Sequence, residues 1–508
     1  MNVSDHRRDY AAYCSAVELE RFRRHAGHTA ALDLRPAEER YSDLWSPERV
    51  AALRRLRDET PADFETERAG LSALAGAALL KLAEAQAREV TEELGRCEAA
   101  AGFEWRGLRV SGADLPGLLA AEPDAALRRE LAARGLDALQ SCDDLRAARL
   151  EALAGAARAE GFDGRGSLYE SFTGASPERL AEEADAFLER TESVYQRRLA
   201  AWAAQDAGPS SPRPLHRSDS FRFTRAPRLD AHFAAPFVAV YAGTLAGLGV
   251  RTESQKNLLV DDAERAGKGT HSACFAVGPP EDVRLVLGPH DGGADFHRRS
   301  LFEAGRAQMF AWASRESAAR RPEFVHAPDR ATELGHAFLL SGLWAEPAWL
   351  AEFARARPDE LREAARTAAL VELHDARRDA ALLGHAVALD RAADPRSEAL
   401  AESFAESLTR ATGFRHEPAA GLPEADEWFG SATRLRARAF AAGLREHLRS
   451  RHGNHWLASR AAGGELIDVW NTASRYRVEE LARLLWGHGL SFELLAEAHA
   501  SALGDTHG

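Results

Sequence analysis

Between Tyr41 and Ala204 apolar residues recur at close to helical spacing with short polar breaks between runs, a pattern that predicts successive amphipathic helices. Within Glu65 to Gly95, for example, Leu71, Leu74, Ala78, Leu82 and Ala85 fall near one helical face. Two breaks carry the same start signal. Ser46-Pro47-Glu48-Arg49 and Ser176-Pro177-Glu178-Arg179 each offer Ser as N-cap and Pro at the first helical position. A Gly/Pro/Ser cluster at 207–214 cannot continue a helix, and it predicts a division into an N-terminal helical domain, 1–206, and a second helical domain, 207–508. After it, Asp230 to Leu248 reads as a helix.

The pattern changes at Cys274-Phe275-Ala276-Val277 and Val283-Arg284-Leu285-Val286-Leu287. These short β-prone runs flank Gly278-Pro279-Pro280 and predict a small hairpin. The turn Gly288 to Gly293 then leads into a helix containing Leu301 to Phe310, and another helix is expected from Asp329 through Leu340. Helices continue to the C-terminal end. The fold class is therefore mainly α with a small β element.

Composition narrows the function. The chain has 508 residues, 45% hydrophobic and 28% charged, which fits a folded globular protein and excludes a disordered one. A formal charge of −13 argues against general nucleic-acid affinity, which needs a positive field. The most apolar run, Leu71 to Leu82, is too short to span a bilayer, so no membrane role is expected. Cys14, Cys97, Cys142 and Cys274 show no C-x-x-C spacing and are expected as reduced thiols, in keeping with a cytoplasmic protein. No P-loop or dinucleotide-binding glycine motif is present.

The candidate chemistry lies in Leu301-Phe302-Glu303-Ala304-Gly305-Arg306 and Asp329-Arg330-Ala331-Thr332-Glu333-Leu334-Gly335-His336-Ala337-Phe338-Leu339, preceded by Cys274 to Val277 and Gly292-Gly293. Further on come Gly453, Trp456, Ala462-Gly463 and Leu466 to Trp470. This order resembles the thimet oligopeptidase and oligoendopeptidase F group of zinc peptidases. That resemblance implies a zincin-like helical metallopeptidase fold with a central cleft and a motif H-E-x-x-H in which two His hold zinc and Glu acts as general base. The strand pair beside the helix is itself expected to offer a peptide-binding edge, since its backbone groups can pair with an extended chain.

Aligned without gaps, the family's metal-ligand positions fall on Phe302, Arg306 and Leu334, and its general base falls on Glu303. A phenyl ring and a guanidinium cannot ligate zinc. The resemblance thus implies a degenerate member without the zinc cofactor, keeping Glu303 as the one catalytic-type residue. Glu333, His336 and His297 are the other cleft candidates. A competing register takes Thr332-Glu333-Leu334-Gly335-His336 as the changed motif, and Asp295, His297, Glu303, Glu333 and His336 are the donors a nonstandard metal site would draw on. Glu303 and Arg306, three residues apart, can pair on one helix face.

The function expected is a pseudopeptidase that binds a peptide or protein in its cleft, with an active homologous peptidase as a second candidate partner. The alternative is altered chemistry on the same fold, through a nonstandard metal site or through Glu303 as acid/base beside Arg306.

Overall fold

Ser46 and Ser176 both cap the helices their position predicts. Ser46 Oγ accepts from the N–H of Arg49 at 3.3 Å at the start of Pro47–Glu59, and Ser176 Oγ accepts from Arg179 at 3.4 Å at the start of Pro177–Asp206. A computed structural model describes residues 1–206, 215–289 and 292–504; the expected break at 207–214 lies outside them, as do His290 and Asp291 of the predicted turn. The molecule is mainly α-helical, with a two-stranded and a three-stranded sheet among the described residues.

The chain forms two compact units that interleave in sequence. One comprises Met1–Lys81, Leu229–Ala365 and Arg436–Leu494; the other comprises Leu82–Arg228, Arg366–Leu435 and Leu495–Gly508. The division expected at 206/207 is therefore not the structural one, because segments distant in sequence share a core.

The first unit holds the three-stranded sheet, in the order Leu258–Asp261, Asp282–Val286, Ala273–Gly278. The predicted hairpin is its antiparallel half, with Cys274 opposite Leu285; the parallel strand Leu258–Asp261 carries no alternation that would have announced it. The N-terminal helix, Val3–His25, packs on the edge strand Ala273–Gly278, where Phe22 and Ala26 share an apolar cluster with Phe275, Val277 and Val286. The segment expected as one helix from Asp230 to Leu248 is instead a 3₁₀ turn, Pro227–His232, and a helix, Phe237–Gly247; Pro236 supplies no N–H and precedes the new start.

The second unit is helical with one hairpin, Gly102–Trp105 paired with Leu108–Ser111. Glu65 to Gly95 proves to be two helices, Glu65–Gln86 and Arg88–Ala100. Buried Arg165 is held by Asp390, whose carboxylate also accepts from the N–H groups of Arg165 and Gly166 at a helix start. The expectation of four reduced thiols fails here: Cys97 and Cys142 form a disulfide with Cα atoms 5.9 Å apart, while Cys14 and Cys274 are free. Helix packing brings together two cysteines 45 residues apart, a proximity that spacing in sequence does not reveal. Disulfides persist in oxidising surroundings, so the thiol argument for a cytoplasmic location no longer holds. Among the described residues no single helix is long and apolar enough to cross a membrane.

Candidate functional site

The site is built on the helix Ala294–Trp312, called the central helix here. Its start is fixed by Gly293, at φ 95°, and by Asp230, whose carboxylate accepts from the N–H of Ala294 at 3.0 Å. A Cβ at position 293 would lie 2.5 Å from that carboxylate oxygen, so the position requires glycine on both conformation and space.

The companion helix, Ala331–Ser341, packs against the central helix with their backbones close together. A Cβ at Gly305 would meet His336 O at 2.4 Å and the Cα of Ala337 at 2.8 Å. Gly305→Ala is therefore expected to lower stability by roughly 1–3 kcal/mol through overpacking. The check is a urea titration, in which an unchanged midpoint would show that the two helices separate freely.

This approach sets Glu303 and Arg306 beside Glu333. Arg306 donates through Nη1 to Glu303 Oε2 at 2.5 Å and through Nε to Glu333 Oε1 at 2.5 Å. Arg330 donates to both oxygens of Glu333, at 2.8 and 3.1 Å. Glu303 Oε2 also accepts from the N–H of Cys274 on the edge strand, at 2.9 Å. The result is a continuous chain from strand backbone through carboxylate, guanidinium and carboxylate to a second guanidinium. Burial opposes ionisation of Glu333, but Arg330 and Arg306 outweigh it and hold the carboxyl far below its ordinary range. Burial likewise works against the charge on Arg306, and Glu333 and Glu303 raise its pKa in spite of that.

Glu303, Arg306, Arg330 and Glu333 line a cavity of about 1170 Å³ that lies within the first unit. The edge strand and the N-terminal helix form other parts of its wall, contributing Cys274, His6, Tyr10, Tyr13 and Cys14 among others. The Tyr10 hydroxyl donates to the carbonyl of His326 at 2.5 Å and so ties the N-terminal helix to the loop before the companion helix. Burial pushes the His326 imidazole down to about 4, partly offset by Glu333.

The candidates read from the sequence separate into two groups. Glu303, Arg306 and Glu333 are brought together on the cavity wall. The others are not on it. Leu334, placed at the third ligand position by an ungapped alignment, is not among the residues lining the cavity, and it is Glu333, one residue earlier, that reaches Arg306. A step of one residue turns a helix by about 100°, enough to move a side chain off the wall.

Phe302 packs edge-on against Phe338, with ring centroids 5.1 Å apart, and Arg438 lies over Phe338 at 4.1 Å. His336 is 1% exposed between Phe440 and Trp470, and burial pushes its pKa down to about 3. His297 is equally buried, bonded to the carbonyls of Gly293 and Ala235. Both cleft histidines are thus core residues. Asp295 is bound to Arg298 and Arg299.

Sequence reasoning missed the contribution of the N-terminal helix. Its polar, charged residues mask a stripe at Tyr10, Tyr13, Val17 and Phe22 that keeps helical spacing.

Zinc needs nitrogen, sulfur or oxygen donors with free lone pairs, usually four with tetrahedral geometry. Here Phe302 has none, Arg306 is a permanent cation, and both oxygens of Glu333 already accept from guanidinium groups. This donor set does not fit a zinc ion. Among the described residues no group of three or more His, Cys, Asp and Glu side chains is placed to hold a metal elsewhere.

No family model matches the chain, and no curated protein matches it. Solved structures do. A Pyrococcus furiosus carboxypeptidase aligns with a TM-score of 0.66 at 12% identity, covering 98% of this chain and 97% of that one. An M32 carboxypeptidase from Deinococcus radiodurans R1 aligns at 0.62 and 12% identity, covering 99% and 98%. A candidate oligoendopeptidase F from Bacillus anthracis aligns at 0.61 and 12% identity, covering 92% and 81%. The fold is that of the helical metallopeptidases, and carboxypeptidases share it with the oligopeptidase group.

Proposed function

We propose that this chain is a pseudopeptidase, a metal-free protein on the helical metallopeptidase fold that binds a peptide or an extended protein segment in its cavity. One observation carries the reading. Arg306 bridges Glu303 and Glu333, so a fixed cation satisfies the carboxylates of the two helices. A divalent cation brought to the same place would have to displace a guanidinium that already bonds both carboxylates, which are therefore not free to ligate it. Glu303 as general base is also disfavoured, because its Oε2 already accepts from a guanidinium and a backbone N–H.

The cavity itself supports a peptide as occupant. It is large enough for several residues, and aromatic and aliphatic side chains line it beside scattered polar groups, the mixture that binding sites use. An active relative is a further candidate partner, as a protein that supplies or receives the bound segment.

The test joins three measurements on purified protein: metal content, cleavage of fluorogenic peptides, and anisotropy titration of labelled peptides. Saturable peptide binding without stoichiometric zinc and without turnover is expected. Zinc near unit stoichiometry with chelator-sensitive cleavage would overturn the reading, and turnover abolished by Glu303→Gln would replace it with acid/base chemistry.

A further inference from the structure

Most of the cations on the cavity wall are already committed. Arg306 and Arg330 serve Glu303 and Glu333. Arg21 pairs with Glu18 at 3.0 Å, and Arg24 donates to the carbonyl of Gly267 at 3.2 Å. Lys268 donates to the carbonyls of Asp261 and Ala263, with the Asp261 carboxylate 3.7 Å away.

Lys81 differs. Among the described residues no carboxylate lies within ion-pair distance of it; its ammonium sits 5.6 Å from the ring centre of Tyr13. Tyr13 is 4% exposed and lines the same cavity; its hydroxyl lies within the electrostatic reach of Lys81 but makes no hydrogen bond of good geometry. Two turns earlier on the same helix, His6 is also 4% exposed and its Nδ1 is without a partner. Buried polar atoms are ordinarily satisfied, and leaving one unmade costs about 1–3 kcal/mol. A buried hydroxyl without a well-formed hydrogen bond, next to an ammonium that no carboxylate neutralises, therefore marks a place where a ligand completes the set. Trp45, with its ring 4.5 Å from that of Tyr13, gives the place an apolar floor.

We propose that this part of the cavity is a carboxylate subsite: Lys81 Nζ and the Tyr13 hydroxyl donate to a carboxylate of the bound ligand. The inference rests on the peptide-binding reading and names its substrate class, a peptide bearing a carboxylate at its C terminus or on an acidic side chain. An anion here matches the chemistry of the donors, since an ammonium and a phenol O–H both donate and neither needs to change charge. Apolar surroundings strengthen such a pair by excluding water.

The experiment uses the full chain and four probes: a labelled hexapeptide rich in Glu, its Gln counterpart with a free C terminus, the same Gln peptide with an amidated C terminus, and glutarate alone. Wild-type protein is expected to bind at least one carboxylate-bearing peptide about tenfold or more tighter than the amidated Gln peptide. The Glu-rich and free-terminus arms tell which carboxylate is used. Lys81→Met should erase that preference, Lys81→Arg should retain part of it, and Tyr13→Phe, which removes one oxygen and keeps the ring, should reduce it severalfold. Equal binding of all three peptides, unchanged in Lys81→Met, would overturn the subsite and leave peptide binding standing. Glutarate binding that is lost in Lys81→Met, with no peptide bound, would keep the subsite and overturn the peptide reading. No binding of any probe would overturn both.

Discussion

Arg306→Met is expected to destabilise the protein by about 3–5 kcal/mol at neutral pH, the cost of removing one member of a buried ion cluster. The size reflects the groups left behind. Glu303 and Glu333 have side chains only 15% and 11% exposed, and Arg306 is the group that touches both. Without it, Glu333 keeps Arg330, whose side chain is half exposed, while Glu303 keeps only the Cys274 N–H of the contacts described. Two like charges then face each other across the helix interface.

The prediction separates from a simple packing loss through the carboxylates. Glu303→Gln combined with Arg306→Met should recover a large part of the loss, since the double variant no longer buries an unpaired charge. Chemical denaturation of the single and double variants checks this. Additive losses would show that the ions act independently and that the bridge is incidental.

The second large effect is a loss of stability on mild acidification. Burial pushes His6, His374, His385 and His416 down to about 4, and His336 to about 3, from an ordinary value of 6.5. Between pH 6.5 and about 4 the unfolded chain binds protons at these sites that the folded chain does not. Stability therefore rises with pH through that window and falls as the pH drops below 6.5.

For His336, moving from pH 7.5 to pH 5 removes about 2 kcal/mol. Carboxylates act lower on the scale: Glu424, where burial is outweighed by Arg217 and Arg378, is held at about 2, so its contribution is lost only as the pH falls from its ordinary value of 4.5 toward 2. Because the His336 ring makes no hydrogen bond and sits against Phe440 and Trp470, His336→Leu should flatten the acid slope by that residue's share while costing little at pH 8. Denaturant midpoints measured from pH 8 to pH 5 decide it; an identical slope in the variant would exclude His336 as a contributor.

The features legible in advance had a common physical basis. Motif spacing along Leu301 to Arg306 located the central helix, and the i, i+3 relation of Glu303 and Arg306 implied that they could pair, because both are properties of a single helix. The Cys274 and Val283 runs located the antiparallel strand pair because β-prone residues flanked a turn. The expectations that failed depended on neighbours. Whether Glu333 or Leu334 faces the cavity is decided by the rotation of the companion helix, which Gly305 fixes by close contact and no periodicity encodes. His297 and His336 have the chemistry of site residues, and only burial identifies them as core. The Cys97–Cys142 bond and the interleaved units arise from contacts between distant segments, which carry no local signal.

The N-terminal helix brings His6, Tyr10, Tyr13 and Cys14 to the cavity, yet an exposed turn at 30–33 is its covalent link to the next helix, Arg35–Arg40. Much of its attachment is side-chain contact: Arg7 with Glu67 and Glu323, Tyr10 with His326, and Phe22 with Phe275. A single protease cut in that turn would leave the helix docked as a separate piece, and the cavity would then have a detachable wall. The occupancy of the cavity and the grip on the cut fragment would become linked equilibria, so that ligand would slow release of the fragment and excess free fragment would restore ligand binding to protein that had lost it.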